Sequence, residues 1–193
     1  EESAPPAARA AHLARARQEA ETVLATASAL LDISRLETGL AADQFAPLDL
    51  ADIARDISEL YEATAEAQGV RLTCEAAPAP VTGHAHLLAQ AVANLVDNAL
   101  AHGGRGGAVM IEAGTAPDGS RFIAVADHGP GIDEADRVRA LARFTRLGDG
   151  SGGAGLGLAL VSAVAKSHGG RVTLDDNAPG LVAALSLPPP DGG

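Results

Sequence analysis

The sequence predicts an α+β protein: a two-layer α/β sandwich, its sheet mixed but mainly antiparallel with helices on one face, preceded by one long α-helix. Three observations lead there. Residues 7–37 run without proline or glycine and repeat apolar side chains at helical steps. Beyond them, stretches of alternating apolar and polar residues, bounded by Gly, Pro and Asn, interleave with segments of helical period, a pattern that layers helices on a sheet. The chain of 193 residues, 47% hydrophobic but only 2% aromatic, is also long enough for one sizeable core, which must be built from Ala, Leu and Val.

Taken in order, Pro5-Pro6 leaves the first residues frayed or in a turn. The long helix places Leu13, Ala20, Leu24, Ala27, Leu31 and Ser34 on a narrow seam, suited to a coiled coil or antiparallel bundle, and Gly39 ends it. No later helix matches its length, so the seam is expected to meet another chain or a preceding helix. Residues 40–48 form a connector or a short first strand. Asp49 caps a helix over residues 50–68 with Ile53, Ile57, Leu60 and Ala67 inward, closed by Gly69. Residues 70–75 alternate as a half-buried strand, and a short extended piece framed by Pro78, Pro80 and Gly83 precedes a helix over residues 84–102. Residues 108–114 and 121–127 form a hairpin through Pro117-Asp118-Gly119. A short helix over 133–143, a glycine-rich loop and a helix over 155–168 follow. A last hairpin pairs 171–175 with 181–187 through Asn177-Ala178-Pro179-Gly180.

Composition excludes several function classes. With 14 Lys and Arg against 25 Asp and Glu, the formal charge of −11 repels a phosphate backbone, and the aromatic shortage removes platforms for base stacking; no nucleic-acid partner is expected. Cys74 is the only cysteine, so neither an internal disulfide nor a cysteine zinc site can form, and a reduced cytoplasmic setting fits. No apolar run approaches the roughly 18 residues of a helical span, and no signal segment is visible, so no membrane contact by this chain is expected. The start at Glu1-Glu2, without Met, reads as a processed product or a piece of a longer protein.

Four features carry chemistry. Asn94 and Asn98, one helical turn apart in QAVANLVDNALAHG, project from one face, with Ala91, Leu95, Val96, Ala99 and Leu100 supplying the apolar side. An amide oxygen suits Mg²⁺, a hard cation that shares its shell with substrate phosphates, and Asn98 is the better candidate; the bland alternative is a pair of core-edge hydrogen bonders. In DHGPGI, Asp127 at a strand end can accept from an exocyclic amine while Gly129 and Gly131 let the backbone pass a flat ring; alone, this is as readily a tight turn. In GAGLGLAL, Gly153, Gly155 and Gly157 lead straight into a helix whose positive end and free amides hold phosphates; alone, it is as readily a hinge. No Gly-Lys-Ser/Thr follows and no strand precedes it, which excludes a Walker loop and a dinucleotide fingerprint. Arg146, in RFTR, offers a fixed charge for terminal phosphate oxygens, or is a solvated surface residue.

In that order, NLVDNALAH, DHGPGI, RFTR and GAGLGLAL resemble the N, G1, F and G2 boxes of the sensor histidine kinases of two-component systems. LLDISRLETG is similar to the end of the second helix of their dimerisation and phosphotransfer hairpin. The resemblance covers nearly the whole chain. It implies a Bergerat-type ATP-binding domain of the gyrase, histidine kinase and mismatch-repair ATPase superfamily over residues 41–193. Residues 1–40 would be one helix of the hairpin, without its phosphoacceptor helix. ATP and Mg²⁺ are the implied cofactors. Asp127 would read adenine, with Gly129, Gly131 and Ile132 bordering the base, and Asn98 and Asn94 would face Mg²⁺ and the phosphates, followed by His102 in the ring-bearing place. Residues 132–153 would be an ATP lid, with Gly155, Leu156 and Gly157 at its C-terminal hinge, and Gly153 and Leu158 would join them in binding the nucleotide. Arg146 would lie near the γ-phosphate, making it and Asn94 the catalytic candidates. Few large apolar residues and many glycines make ordering the lid expensive, so it is expected to move without nucleotide.

The chain departs from that family in three places. Ala101 stands where Lys or Arg is usual, with Arg105 the available substitute, and Leu141 stands where the first Phe of the F box is common. The phosphoacceptor motif, a His followed by an acid and then Thr-Pro, is absent. His12 is followed by Leu13, with Arg17 in the place of the Pro, and none of the six histidines supplies the motif.

The reading is a catalytic fragment of a sensor histidine kinase, unable to autophosphorylate alone. It would transfer the γ-phosphoryl group to a histidine outside this chain, for relay to a response-regulator receiver domain. The full-length protein would be a homodimer through the hairpin, with the fragment cytoplasmic and anchoring of the whole in the inner membrane left open. Two alternatives also stay open. One is an ATP hydrolase of the superfamily, against which Asn94 stands because an amide cannot activate water where hydrolases carry Glu. The other is a non-catalytic nucleotide-binding or scaffolding module, kept open by Ala101.

Overall fold

The computed structural model describes residues 27, 28, 30, 31, 34, 44–103, 107–145 and 155–189. Of the long first helix, Ala27, Ser28, Leu30, Leu31 and Ser34 are helical; Leu30 packs against the core and Leu31 is exposed. The rest of that expected helix, with His12 and the Gly39 cap, lies outside the described residues.

Asp49 ends strand β1 (Ala46–Asp49) and caps helix α1 (Leu50–Ala67), as its type and place predict. Its Oδ1 accepts from the Ala51 N–H at 2.9 Å and from the Ala79 N–H at 2.8 Å. The second bond ties the cap to the chain entering β3 (Pro80–Gly83), which pairs antiparallel with β1 as a separate two-stranded sheet. Along α1 the inward placement of Leu60 and Ala67 is overturned: Leu60 is 69% exposed, and Ala67 is exposed as well. The covered stripe steps instead by four through Ile53, Ile57, Tyr61 and Ala65, winding about 40° round the helix at each step and leaving Leu60 and Ala67 outside it. Tyr61 is held in the stripe by a hydrogen bond to Asp97 on the neighbouring helix, and burial together with that carboxylate pushes its phenol far above the usual range.

The main sheet holds β2 (Arg71–Ala76), β4 (Ala108–Thr115), β5 (Arg121–Ala126), β6 (Arg171–Asp176) and β7 (Leu181–Leu187), in the order β2-β4-β5-β7-β6. β2 runs parallel to β4, with Arg71 opposite Ala108, and the other neighbours are antiparallel. The β4–β5 hairpin turns at the expected place: Gly119 has φ +84°, and Asp118 Oδ1 accepts from the Ser120 N–H at 3.0 Å and its hydroxyl at 2.6 Å. Helices α1, α2 (Ala85–His102) and α4 (Gly157–Ser167) bury Leu88, Val92, Val96, Leu160, Val161 and Val164 with Val109, Ile111, Ile123 and Leu185 of the sheet in a single core. On β4 the alternate residues Met110 and Glu112 are half-buried and exposed, while Val109 and Ile111 are buried, the pattern of a sheet covered on one face. Helix α3 (Glu134–Ala140) is shorter than the expected 133–143; Arg137 ties it to the sheet through Asp176, at 2.7 Å. No helix among the described residues is long and apolar enough to cross a membrane.

Just past α4, buried His168 joins that helix to the start of α2. Its ring centroid lies 4.8 Å from that of Phe45, Nε2 accepts from the His84 N–H at 3.0 Å, and Nδ1 lies 2.8 Å from the Val164 carbonyl. A backbone N–H can only donate, so Nε2 is unprotonated and the neutral ring carries its proton on Nδ1. Burial pushes this imidazole below its ordinary value of 6.5, opposed by the Val164 bond and reinforced by His84. The unfolded chain therefore takes up the proton first, and the stability His168 contributes is present above about pH 6.5, begins to be lost as pH falls below that value, and is gone once pH has fallen through the lower folded-state pKa. The thermal midpoint is expected to fall between about pH 7.5 and about pH 5.5, and to fall less in His168→Gln, whose amide oxygen still accepts from His84. Equal falls in melting curves of the two proteins would remove His168 from the pH response.

Candidate nucleotide-binding site

The two asparagines meet the glycine that opens α4. Asn94 Nδ2 donates to the Gln90 carbonyl at 2.9 Å, which turns its Oδ1 toward α4; a Cβ on Gly157 would lie 3.1 Å from that oxygen and 3.5 Å from Asn98 Nδ2. Any larger residue at 157 would fill this space. Asn98 Nδ2 is buried and has no hydrogen-bond partner among the described residues. An orphaned buried donor costs about 1–3 kcal/mol, so a polar group arriving here would be favoured. Leu156 sits at the N-cap of α4 and makes no side-chain cap bond, so the positive end of that helix, beside the two asparagines, has no acceptor from its own cap residue. Leu156 is buried and Leu158 packs on the core, which fixes the direction in which this helix end points. Asp97, between the asparagines in sequence, turns away to Tyr61, and burial raises its carboxyl while that bond lowers it.

Gly155, with φ +70°, lies against the chain before residues 146–154: its carbonyl accepts from the Phe144 N–H at 3.0 Å, and a Cβ there would lie 2.6 Å from the Thr145 carbonyl oxygen. Phe144 is 62% exposed, in the left-handed region at φ 59°. Arg146 and Gly153 lie outside the described residues, as do Arg105 and most of the second half of the expected lid. Ala101 is exposed on α2.

Asp127, at the end of β5, is only 7% exposed. Its Oδ1 accepts from the Gly129 N–H at 2.7 Å, which leaves Oδ2 as the acceptor for another donor. The glycines here answer to backbone packing: a Cβ on Gly129 would lie 2.2 Å from the His102 carbonyl oxygen, and one on Gly131, at φ +72°, 2.9 Å from that of Gly180. Gly103 abuts Asp127 in turn, 3.1 Å from Cβ to Cβ if it carried one. The C-terminus of α2 is thus clamped to the Asp127 turn through His102 and Gly103, while Ile132 packs on the core and accepts from Arg137 Nε at 3.1 Å. Asn98 stands five residues before Gly103, about 7.5 Å of helix rise, so the asparagine pair and Asp127 share one end of the molecule. Asn177 also reaches Asp127, donating to its carbonyl at 2.6 Å. Sequence carries no local signal for that bond, which joins positions 50 apart.

Among the described residues no three of His, Cys, Asp and Glu gather as a metal site, so a cation here would take amide oxygens and share the rest of its shell with a ligand. A separate cleft of about 560 Å³, lined by Glu66, Gly69, Val70, Arg71, Gly107, Ala108 and His128, shares none of the expected site residues.

Residues 83–191 match the family model described as Histidine kinase-, DNA gyrase B-, and HSP90-like ATPase. The probable sensor histidine kinase TcrY of Mycobacterium tuberculosis is 35% identical over 189 residues, 95% of this chain and 39% of that protein. The sensor-like histidine kinase SenX3 of Mycolicibacterium smegmatis is 34% identical over 168 residues, 82% of this chain and 43% of the relative. The chain therefore spans about two fifths of the length of these curated relatives. Among solved structures, the mycobacterial sensor histidine kinase MprB is similar at 30% identity and a TM-score of 0.65, over 75% of this chain and 97% of that one. Full-length ShkA in complex with AMPPNP shares the fold at a TM-score of 0.80 and 24% identity, over 96% of this chain and 40% of that one.

Proposed function

From the premise that the chain belongs to the histidine kinase-, DNA gyrase B- and HSP90-like ATPases, as the ATP-binding domain of a two-component sensor kinase, we propose that it binds Mg²⁺-ATP between α2 and α4 and phosphorylates a histidine on a segment outside this chain. The observation that carries the reading is the orphaned Asn98 amide beside Gly157, at the end of α4 that its own N-cap side chain leaves uncapped: a buried donor and a positive helix end meet where an anion would be favoured. Asp127 Oδ2 supplies the acceptor for the exocyclic amine of adenine. The residues fit a magnesium ion brought by the substrate, since Asn94 Oδ1 and Asn98 Oδ1 both face the space beside Gly157, 3.1 and 3.8 Å from where its Cβ would lie. The ion would neutralise charge on the phosphates. Arg146 would place a further positive charge near the γ-phosphate.

In the transfer, the unprotonated nitrogen of the acceptor imidazole bonds to the γ-phosphorus as the bond from that phosphorus to the bridging oxygen breaks and ADP leaves, and the proton on the other ring nitrogen passes to the acid next to the acceptor histidine. The phosphoryl group would then pass to an aspartate of a response-regulator receiver domain. Residues 1–40 would belong to the dimerisation hairpin and 41–193 to the ATP-binding domain. Asn94 favours transfer over hydrolysis because its amide cannot act as a general base toward water. A non-catalytic nucleotide-binding module is the second reading, favoured by the missing cation at Ala101.

Incubation with radiolabelled ATP tests both. The expected result is no label on this chain alone, and acid-labile, alkali-stable label on an added hairpin segment carrying a His-acid-x-x-Thr-Pro motif. Binding without transfer to any such acceptor would favour the module. Label on this chain that vanishes in His12→Ala would overturn the assignment of residues 1–40.

A further inference from the structure

Asp127 lies one residue past the paired ladder of β5, whose last paired residue is Ala126, opposite Val182. Its N–H still finds a strand acceptor, the Leu181 carbonyl at 2.9 Å, but its own carbonyl takes its donor from a side chain, Asn177 Nδ2 at 2.6 Å. The β6–β7 turn is shaped around that bond. The Asn177 N–H donates to the Gly180 carbonyl at 3.1 Å, and Gly180, with φ +120°, comes so close that a Cβ would lie 1.9 Å from the Asp127 carbonyl oxygen. The two peptide groups flanking the Asp127 side chain are thus each held, one by the sheet and one by Asn177.

We propose that Asn177 is a positioning residue for base recognition: by pinning the Asp127 carbonyl it sets the direction of the carboxylate, so that Oδ2 meets an exocyclic amine. The side chain of Asp127 has two rotatable bonds. Gly129 fixes the outer one by engaging Oδ1, while the inner one is only as well aimed as the peptide planes on either side. The proposal rests on the reading of the site as an ATP pocket and deepens it, placing part of the base selectivity in a turn that touches no ligand.

The test uses the whole chain, with Asn177→Ala and the similarly sized Asn177→Leu, both lacking the donor. Calorimetry with Mg²⁺ compares non-hydrolysable analogues of ATP and of inosine triphosphate, which carries an oxygen where adenine has its amine. The wild type is expected to prefer the adenine analogue. Both variants should lose about tenfold in affinity for it and no more than about twofold for the inosine analogue, so that discrimination collapses. A wild type without preference would sink the ATP-pocket reading and this proposal with it. A preference kept intact in both variants would overturn the proposal alone. Equal loss for both nucleotides, or failure of both variants to fold, assigns Asn177 to the fold and overturns it too.

Discussion

Asp127→Asn is expected to weaken binding of a non-hydrolysable ATP analogue by about 1–3 kcal/mol, roughly 5- to 150-fold in Kd. The direction follows from the bond to Gly129. That N–H needs an acceptor, so in the variant the amide oxygen remains at the Oδ1 position and the NH₂ group takes the place of Oδ2. A donor then faces the exocyclic amine, itself a donor, in a site where the residue is nearly enclosed. The change is isosteric and keeps the Gly129 bond, so the thermal midpoint should stay close to that of wild type, and loss of affinity cannot be put down to unfolding. The inosine analogue, with an acceptor in the amine's place, should gain on the adenine analogue. Titration calorimetry of the two proteins decides the matter: equal affinities for the ATP analogue would take Asp127 out of the site.

What the sequence revealed was what local chemistry dictates. The Asp49 cap, the Pro117-Asp118-Gly119 turn and the apolar side of the asparagine helix each depend on neighbours within one or two turns of chain, and each lies where expected. The order of the four motifs, a string rather than a shape, was enough to name the family that residues 83–191 match. Leu60 and Ala67 went wrong because a helix's covered stripe drifts with whatever packs on it, and Tyr61 was drawn inward by Asp97, a residue 36 positions away. The Asp127 site was legible only in its first half. Gly129 and Gly131 offer clearance for a flat ring in the sequence, and the structure adds the carbonyls of His102 and Gly180 at their faces. Nothing in the letters Asn-Ala-Pro-Gly says that the turn closes on the end of β5. That information resides in the antiparallel pairing of β5 with β7, which brings Leu181 beside Asp127.

Gly180→Ala should be far more damaging than a turn glycine ordinarily is, and the same pairing says why. Gly119, at φ +84°, has nothing within 4 Å of where a Cβ would go, so Gly119→Ala meets only the left-handed backbone cost, about 1–2 kcal/mol. Gly180, at φ +120°, carries a backbone cost of its own, and its added Cβ would lie 1.9 Å from the Asp127 carbonyl oxygen and 2.9 Å from His128 Cα. No side chain can swing aside, because the obstructing atoms are backbone. Either the β6–β7 turn lifts away, which breaks the Asn177 bond, or the end of β5 moves and takes Asp127 with it. Strain and overpacking together are expected to remove about 2–5 kcal/mol, roughly 5–15 °C of thermal midpoint, against a few degrees for Gly119→Ala. Both escape routes disturb Asp127, so Gly180→Ala should also lose ATP-analogue affinity at temperatures where it is still folded, while Gly119→Ala should not. If the two variants melt together and bind alike, the turn is not packed on Asp127 in solution, and Asn177 loses its hold on the site along with it.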